Sequence, residues 1–132
     1  MQNNQWVQSF TGAITVCDVN GIIREMNDAS AEVFEKYGGA SMIGKNLFDC
    51  HSPASREKLQ KMIANQQENV YTIGKKGQKK LIYQHPWYQN GEFAGFVEIS
   101  LPLPEDYNPG TSATEWRIAA RLIARDTSLV PV

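Results

Sequence analysis

The sequence predicts an α+β domain: a five-stranded antiparallel sheet with short helices and one longer helix on one face. Three observations carry that expectation. Residues 70–101 hold three consecutive β-branched and aromatic runs, broken first by Gly74-Lys75-Lys76-Gly77-Gln78 and then by Asn90-Gly91. Upstream, two shorter runs flank Asp18-Val19-Asn20-Gly21, the pattern of a tight hairpin. Between these blocks, Ser52-Pro53 opens a helix, since serine caps the free N–H groups and proline fits the first helical position.

Taken in order, Trp6 and Phe10 stand four residues apart and suggest a short amphipathic lead-in helix. Ile14, Thr15 and Val16 mark a strand over residues 13–18, and a second strand follows over 22–26. Asn27 caps a short helix through Ala29, Ala31, Val33 and Phe34, which Gly38-Gly39 stops, and a brief turn holds Met42, Ile43 and Gly44. The helix from Ser52 runs to about Gln66, with Leu59, Met62 and Ile63 as a narrow apolar stripe and Arg56, Lys58 and Lys61 outward.

In the last block Asn90-Gly91 supplies the two positive-φ positions of a type I′ turn. Alternation then sets Phe93, Gly95, Val97, Ile99 and Leu101 on one face and Ala94, Phe96, Glu98 and Ser100 on the other, until Pro102 and Pro104 end the strand. Beyond a polar exit loop, Trp116, Ala119, Ala120 and Ile123 recur at helical spacing opposite Arg117, Arg121 and Arg125. The expected division is a flanking segment over 1–12, the domain over 13–104, and an extension with an amphipathic helix over 105–132.

A chain of 132 residues with 42% hydrophobic composition can bury one core. Its formal charge of −1 provides no field to hold nucleic acid or an anionic membrane. The N-terminus lacks a basic and apolar leader, and no apolar run approaches the roughly 20 residues that span a bilayer, so the expectation is a cytoplasmic protein. Cys17 and Cys50 make neither a disulfide framework nor a structural zinc site. The lysines 75, 76, 79 and 80 read as a solvated hairpin tip, because no aromatic platform accompanies them.

The order of elements and their punctuation resemble the PAS sensory domain family over about residues 13–101. The residues that carry the resemblance are Asp18-Val19-Asn20-Gly21 with Ile22 and Asn27, Gly38, the run Met42-Ile43-Gly44-Lys45-Asn46, and His51-Ser52-Pro53. Lys76-Gly77, Pro86-Trp87-Tyr88, Asn90-Gly91-Glu92, and Gly95 with Val97 complete it. The resemblance implies a palm-like sheet whose concave face and helices enclose a small-ligand pocket. It also implies a sensing module that signals through flanking helices, a homodimer and a partner protein.

Alternation alone leaves open which face of the last strands meets that pocket. By resemblance to ligand-bound members, with Pro86 as anchor, Lys80, Ile82 and Gln84 point inward, and the next strand offers Phe96, Glu98 and Ser100, its register open by one residue. With Phe34 and Met62 from the helices, the expected ligand-binding set is Ile82, Gln84, Phe96, Glu98, Ser100, Phe34 and Met62. Glu98 is the informative member, since a carboxylate between Val97 and Ile99 must meet a donor, a cation, a ligand or solvent.

Cofactor chemistry finds little purchase. A flavin photoadduct of the light-oxygen-voltage kind needs a cysteine after Gly44-Lys45-Asn46, where Leu47 stands instead. Haem needs an axial ligand, but the 52–66 helix has no histidine, leaving only His51 before it and His85 on a strand. No nucleophile and base stand at local spacing, so a binding module is expected rather than an enzyme. Two rivals are a dimerisation scaffold whose cavity is filled by side chains such as Phe34, Met62 and Phe96, and a small α+β enzyme using Glu98 with His51 as an acid and base pair.

Overall fold

The computed structural model describes residues 4–105, in the order α1 (Gln5–Ser9), β1 (Ala13–Asp18), β2 (Ile23–Met26), α2 (Asp28–Val33), three 3-10 turns, α3 (Pro53–Asn65), β3 (Asn69–Lys75), β4 (Gln78–Gln89) and β5 (Glu92–Pro102). The strands form one antiparallel sheet in the order β2-β1-β5-β4-β3, so the first hairpin docks beside the last strand of the meander. This is the expected α+β architecture. The amphipathic pattern around Trp116 and Ile123 lies outside the described residues, as do the side chains of Cys50 and Lys75.

Local chemistry explains the elements. Asp18 closes the first hairpin by accepting from the backbone N–H of Asn20 (2.9 Å) and Ile22 (3.0 Å) through Oδ1, and its other oxygen pairs with Arg24. β2 begins at Ile23 rather than 22, because Ile22 bridges instead to Asn46 in the loop alongside. That loop runs along the free edge of β2, with Ile23 N–H donating to Lys45 O (3.0 Å) and Leu47 N–H to Gly21 O (2.8 Å). Asn27 caps α2 and Ser52 caps α3, each through its side chain, and Gln66 ends α3 in the left-handed region.

Both meander turns hold two residues, Lys76-Gly77 (φ 53° and 78°) and Asn90-Gly91 (φ 54° and 83°). The first is shorter than the 74–78 break expected, since Gly74 and Lys75 continue the β3 ladder opposite Lys79 and Gln78.

The strict alternation expected over 93–101 is corrected at its start. Trp87 pairs with Gly95 but Tyr88 pairs with Phe93, so Ala94 is an extra residue and the strand bulges. The bulge turns Phe93 to the side of Phe96, their ring centroids 5.7 Å apart, and Phe93 packs against the cluster of Cys17, Met62 and Phe96. Gly95 makes this possible with φ 141°, where a Cβ would run into the Cys17 carbonyl and the Asp18 Cα.

Two apolar clusters join helices to the sheet. Met62 of α3 meets Cys17 and Phe96, while Ile23, Met26 and Met42 gather Phe34 and Leu47. The opposite face of the sheet carries Leu81, Tyr83, His85 and Trp87 with Val97 and Ile99, all half-buried; Tyr83 and His85 stack at 5.9 Å. α1 forms as expected, but its stripe finds no cover among the described residues: Trp6 is 70% exposed. No described helix is long and apolar enough to cross a membrane.

Candidate ligand site

Pairing across the sheet aligns the inward side chains into rows. One row is Pro86, Phe96, Cys17 and Ile23; the next is Asn69, Gln84, Glu98 and Thr15; a third is Tyr71, Ile82, Ser100 and Ala13. The first row is apolar and the second polar. Over the first two rows the short turns and α3 leave a cavity of about 310 Å³. Leu59, Met62 and Ile63 of α3 form its roof, and Phe34, Tyr37, Met42, Leu47, Phe48 and His51 its side walls.

Of the residues expected to meet a ligand, Phe34, Met62, Gln84, Phe96 and Glu98 line this cavity. Ile82 and Ser100 do not line it. They share the face but lie one row further along the strands, where Ile82 is packed at 5% exposure and Ser100 borders a separate hollow with Ala13, Lys80 and Pro102. Thr15 and Cys17 are cavity residues that the expected set missed, although the period-2 alternation of β1 holds the signal. Leu47 and Phe48 were also missed, and they come from a loop whose path no local pattern dictates.

Glu98 meets its requirement through the polar row. Asn69 Nδ2 donates to Gln84 Oε1 (3.1 Å), and Gln84 Nε2 donates to Glu98 Oε2 (2.7 Å). The chain of amides thus ends in a hydrogen at the carboxylate, which gives Glu98 a donor beside its apolar neighbours. Burial pushes the Cys17 thiol up; a hydrogen bond with the Phe96 backbone opposes this, while the Asp18 and Glu98 charges add to it. Burial likewise raises the Tyr71 hydroxyl, again with the Glu98 charge adding and a hydrogen bond with Gln84 opposing. His51 is anchored from Nδ1, which donates to the Leu47 carbonyl (2.6 Å), since a carbonyl only accepts.

At the far end of the polar row, Thr15 and the fully buried Ser30 share a hydroxyl hydrogen bond. Ser30 N–H in turn donates to Asn27 Oδ1 (3.0 Å), which also accepts from Ile14 N–H (2.8 Å). The Asn27 amide nitrogen donates to Val7 O (3.0 Å) and Gly12 O (2.9 Å), with Phe10 O at 3.4 Å. One side chain, 2% exposed, thus ties α1 to β1 and α2. Among the described residues no group of three His, Cys, Asp or Glu side chains is placed to hold a metal ion.

No protein-family model and no curated protein matches the sequence. Solved structures do match the fold. A C-terminal domain from Streptococcus mutans superposes with a TM-score of 0.60 at 19% identity, over 74% of this chain and 80% of its own. The PAS domain of a protein from Colwellia psychrerythraea gives 0.56 at 21% identity, over 75% and 92%. The Aer2 receptor of Vibrio cholerae, a dual PAS-heme oxygen sensor, gives 0.53 at 16% identity, over 71% and 96%. With its strand order, its helices over one face and these superpositions, the chain has the PAS fold.

Proposed function

We propose that the chain is a sensory module that binds a small molecule between sheet and helices. In this reading the bound state is passed to the flanking segments, to a second copy of the chain and to a signalling partner protein. The observation that carries the reading is the cavity. A scaffold filled by its own side chains would need Phe34, Met62 and Phe96 to close the interior, yet about 310 Å³ stays open between them. That volume stands at the lower end of the range of about 300–1,000 Å³ typical of small-ligand pockets.

Two further features support transmission. α3 buries only Met62, with Leu59 and Ile63 half-buried, so the roof is held by a thin seam that an occupant would contact directly. The bonds from Thr15 through Ser30 to Asn27 lead from the cavity wall to α1. A ligand shifts such an equilibrium only as far as it binds the two arrangements differently, and contact with both roof and wall provides that difference. The reading is of a binding module rather than an enzyme: His51 and Glu98 are each held by neighbours, through Leu47 and Gln84.

The test is native mass spectrometry on protein purified from cells, followed by a thermal-shift screen. A bound mass that leaves on denaturation is expected, and the released compound should raise the melting temperature in proportion to RT ln(1 + [L]/Kd). A bare mass together with no stabilising compound overturns the reading. For assembly, sedimentation at micromolar protein should show a dimer that Trp116→Asp with Ile123→Asp dissociates. A parent monomer overturns the dimer part alone.

A further inference from the structure

Among the described residues, Glu98 is the one carboxylate whose side chain lines the cavity. The Glu98 carboxylate has Oε2 engaged by Gln84, and among the described residues no lysine, arginine or histidine forms an ion pair with it. One N–H of each amide in the polar row is engaged inside the row, that of Asn69 on Gln84 and that of Gln84 on Glu98. His51 uses Nδ1–H on the Leu47 carbonyl, which leaves Nε2 as its unengaged ring nitrogen. No lysine or arginine lines the cavity. The Glu98 charge is felt across the floor, at Cys17 on one side and Tyr71 on the other.

Around this acceptor pole the wall is aromatic and thioether, with Phe34, Phe96, Met42 and Met62. Aromatic faces attract a cation, and methionines adapt to an apolar body of irregular shape. An anionic ligand would meet the carboxylate with no counter-charge from the wall. A neutral apolar ligand would leave the carboxylate oxygen without a partner once water is displaced.

We infer that the cavity selects an organic monocation, an amine or amidine on a small apolar body, with its N–H groups directed at Glu98. This deepens the sensory reading above and rests on the same cavity. Glu98 is then the specificity-determining residue, and Gln84 and Asn69 are positioning residues that fix the free carboxylate oxygen toward the ligand. The cation supplies the counter-charge that no described residue places there.

The experiment uses three probes of one shape and different charge: phenethylamine, 2-phenylethanol and 3-phenylpropanoate, with binding to the full chain followed by calorimetry or protein-observed NMR. The amine should bind about tenfold or more tightly than the alcohol, as a charge-assisted hydrogen bond in a poorly hydrated site predicts, and the carboxylate should bind least. Glu98→Gln should abolish the amine's advantage and leave the alcohol's affinity unchanged, while Glu57→Gln, on the exposed side of α3, should change neither. The wild-type ranking stands as a measurement by itself if Glu98→Gln does not fold. A carboxylate that binds as well as the amine, or an amine preference that survives Glu98→Gln, overturns the cation proposal and leaves the cavity reading intact. If none of the three probes binds at millimolar concentration, the cation proposal fails, and the cavity reading is decided separately by the native-mass measurement above.

Discussion

Replacing Gly95 with alanine tests the junction on which the site depends. Gly95 sits opposite Asp18 in the β1–β5 ladder, directly after the bulge that turns Phe93 toward the cavity cluster. Its φ of 141° lies in a region essentially reserved for glycine, a strain of about 1–3 kcal/mol for any other residue. The added Cβ would also meet the Cys17 carbonyl and the Asp18 Cα, which are backbone atoms with no rotamer to escape into. Relief requires β1 and β5 to part locally, which forfeits roughly one or two ladder hydrogen bonds at about 1 kcal/mol each. The sum is roughly 2–5 kcal/mol, a large share of the about 5–15 kcal/mol that stabilises a typical domain. At about 4–8 °C per kcal/mol the melting temperature should fall by roughly 8–40 °C.

Gly91→Ala is the matched comparison. Its φ of 83° is also left-handed, but nothing lies within 4 Å of the added Cβ, so only the backbone strain of about 1–2 kcal/mol remains. Thermal and urea unfolding followed by tryptophan fluorescence reads both variants, and Trp87 reports locally because its Nε1 donates to the same Cys17 carbonyl (3.1 Å). Should Gly95→Ala lose no more stability than Gly91→Ala, the close approach of β1 and β5 is refuted. The placement of Phe93 on the cavity side falls with it.

Three further outcomes are expected. Asn27→Asp keeps the two accepted bonds but faces the Val7 and Gly12 carbonyls with an oxygen, so it should cost about 2 kcal/mol or more and speed amide exchange over α1; unchanged exchange there would show that α1 is held by something else. Burial works to raise the Asp18 carboxyl, but hydrogen bonds from Ile22, Arg24 and Asn20 and the Arg24 charge outweigh it and hold it below its ordinary value. Its stabilising contribution is therefore present above about pH 4 and lost as pH falls through the lowered value; Asp18→Asn should flatten the acid limb of a stability-versus-pH curve, and an equally steep limb would contradict this. The purified protein should be colourless, since Leu47 occupies the photoadduct position and the 52–66 helix has no histidine; a Soret or flavin band would overturn that reading.

Strand existence and turn placement were legible because they are local. β1 follows from Ile14, Thr15 and Val16, and Asn90-Gly91 adopts two positive φ values because asparagine and glycine tolerate them. The inward face of β4 and β5 was left open by alternation and came only from the family resemblance, with Pro86 as anchor. Depth along that face was not legible. Whether Gln84 or Ile82 meets open space depends on how far α3 and the turns reach over the sheet, a tertiary matter with no trace in the alternation of β4. Phe93 was misread for a related reason. An extra residue in one strand reverses the parity of everything before it, and the only local hint was Gly95 two positions on.

Asn27 shows how the choice of a capping residue carries information beyond the cap. Serine, threonine or aspartate would satisfy the N–H of Ser30 equally well. None of them adds two N–H donors on the same side chain, and this position requires donors, because carbonyls of Val7, Gly12 and Phe10 converge on it where little water reaches. An asparagine cap before a short helix is therefore a junction, in which cap, β1 and α1 are satisfied together or not at all. Ser30 extends the junction to Thr15, whose side chain belongs to the cavity wall opposite Glu98. A displacement of Thr15 by an occupant would reach Ser30 and then the Asn27 amide that holds the Val7 carbonyl of α1. The same polar row that gives the cavity its acceptor pole at Glu98 thus ends in the contact that ties the lead-in helix to the domain.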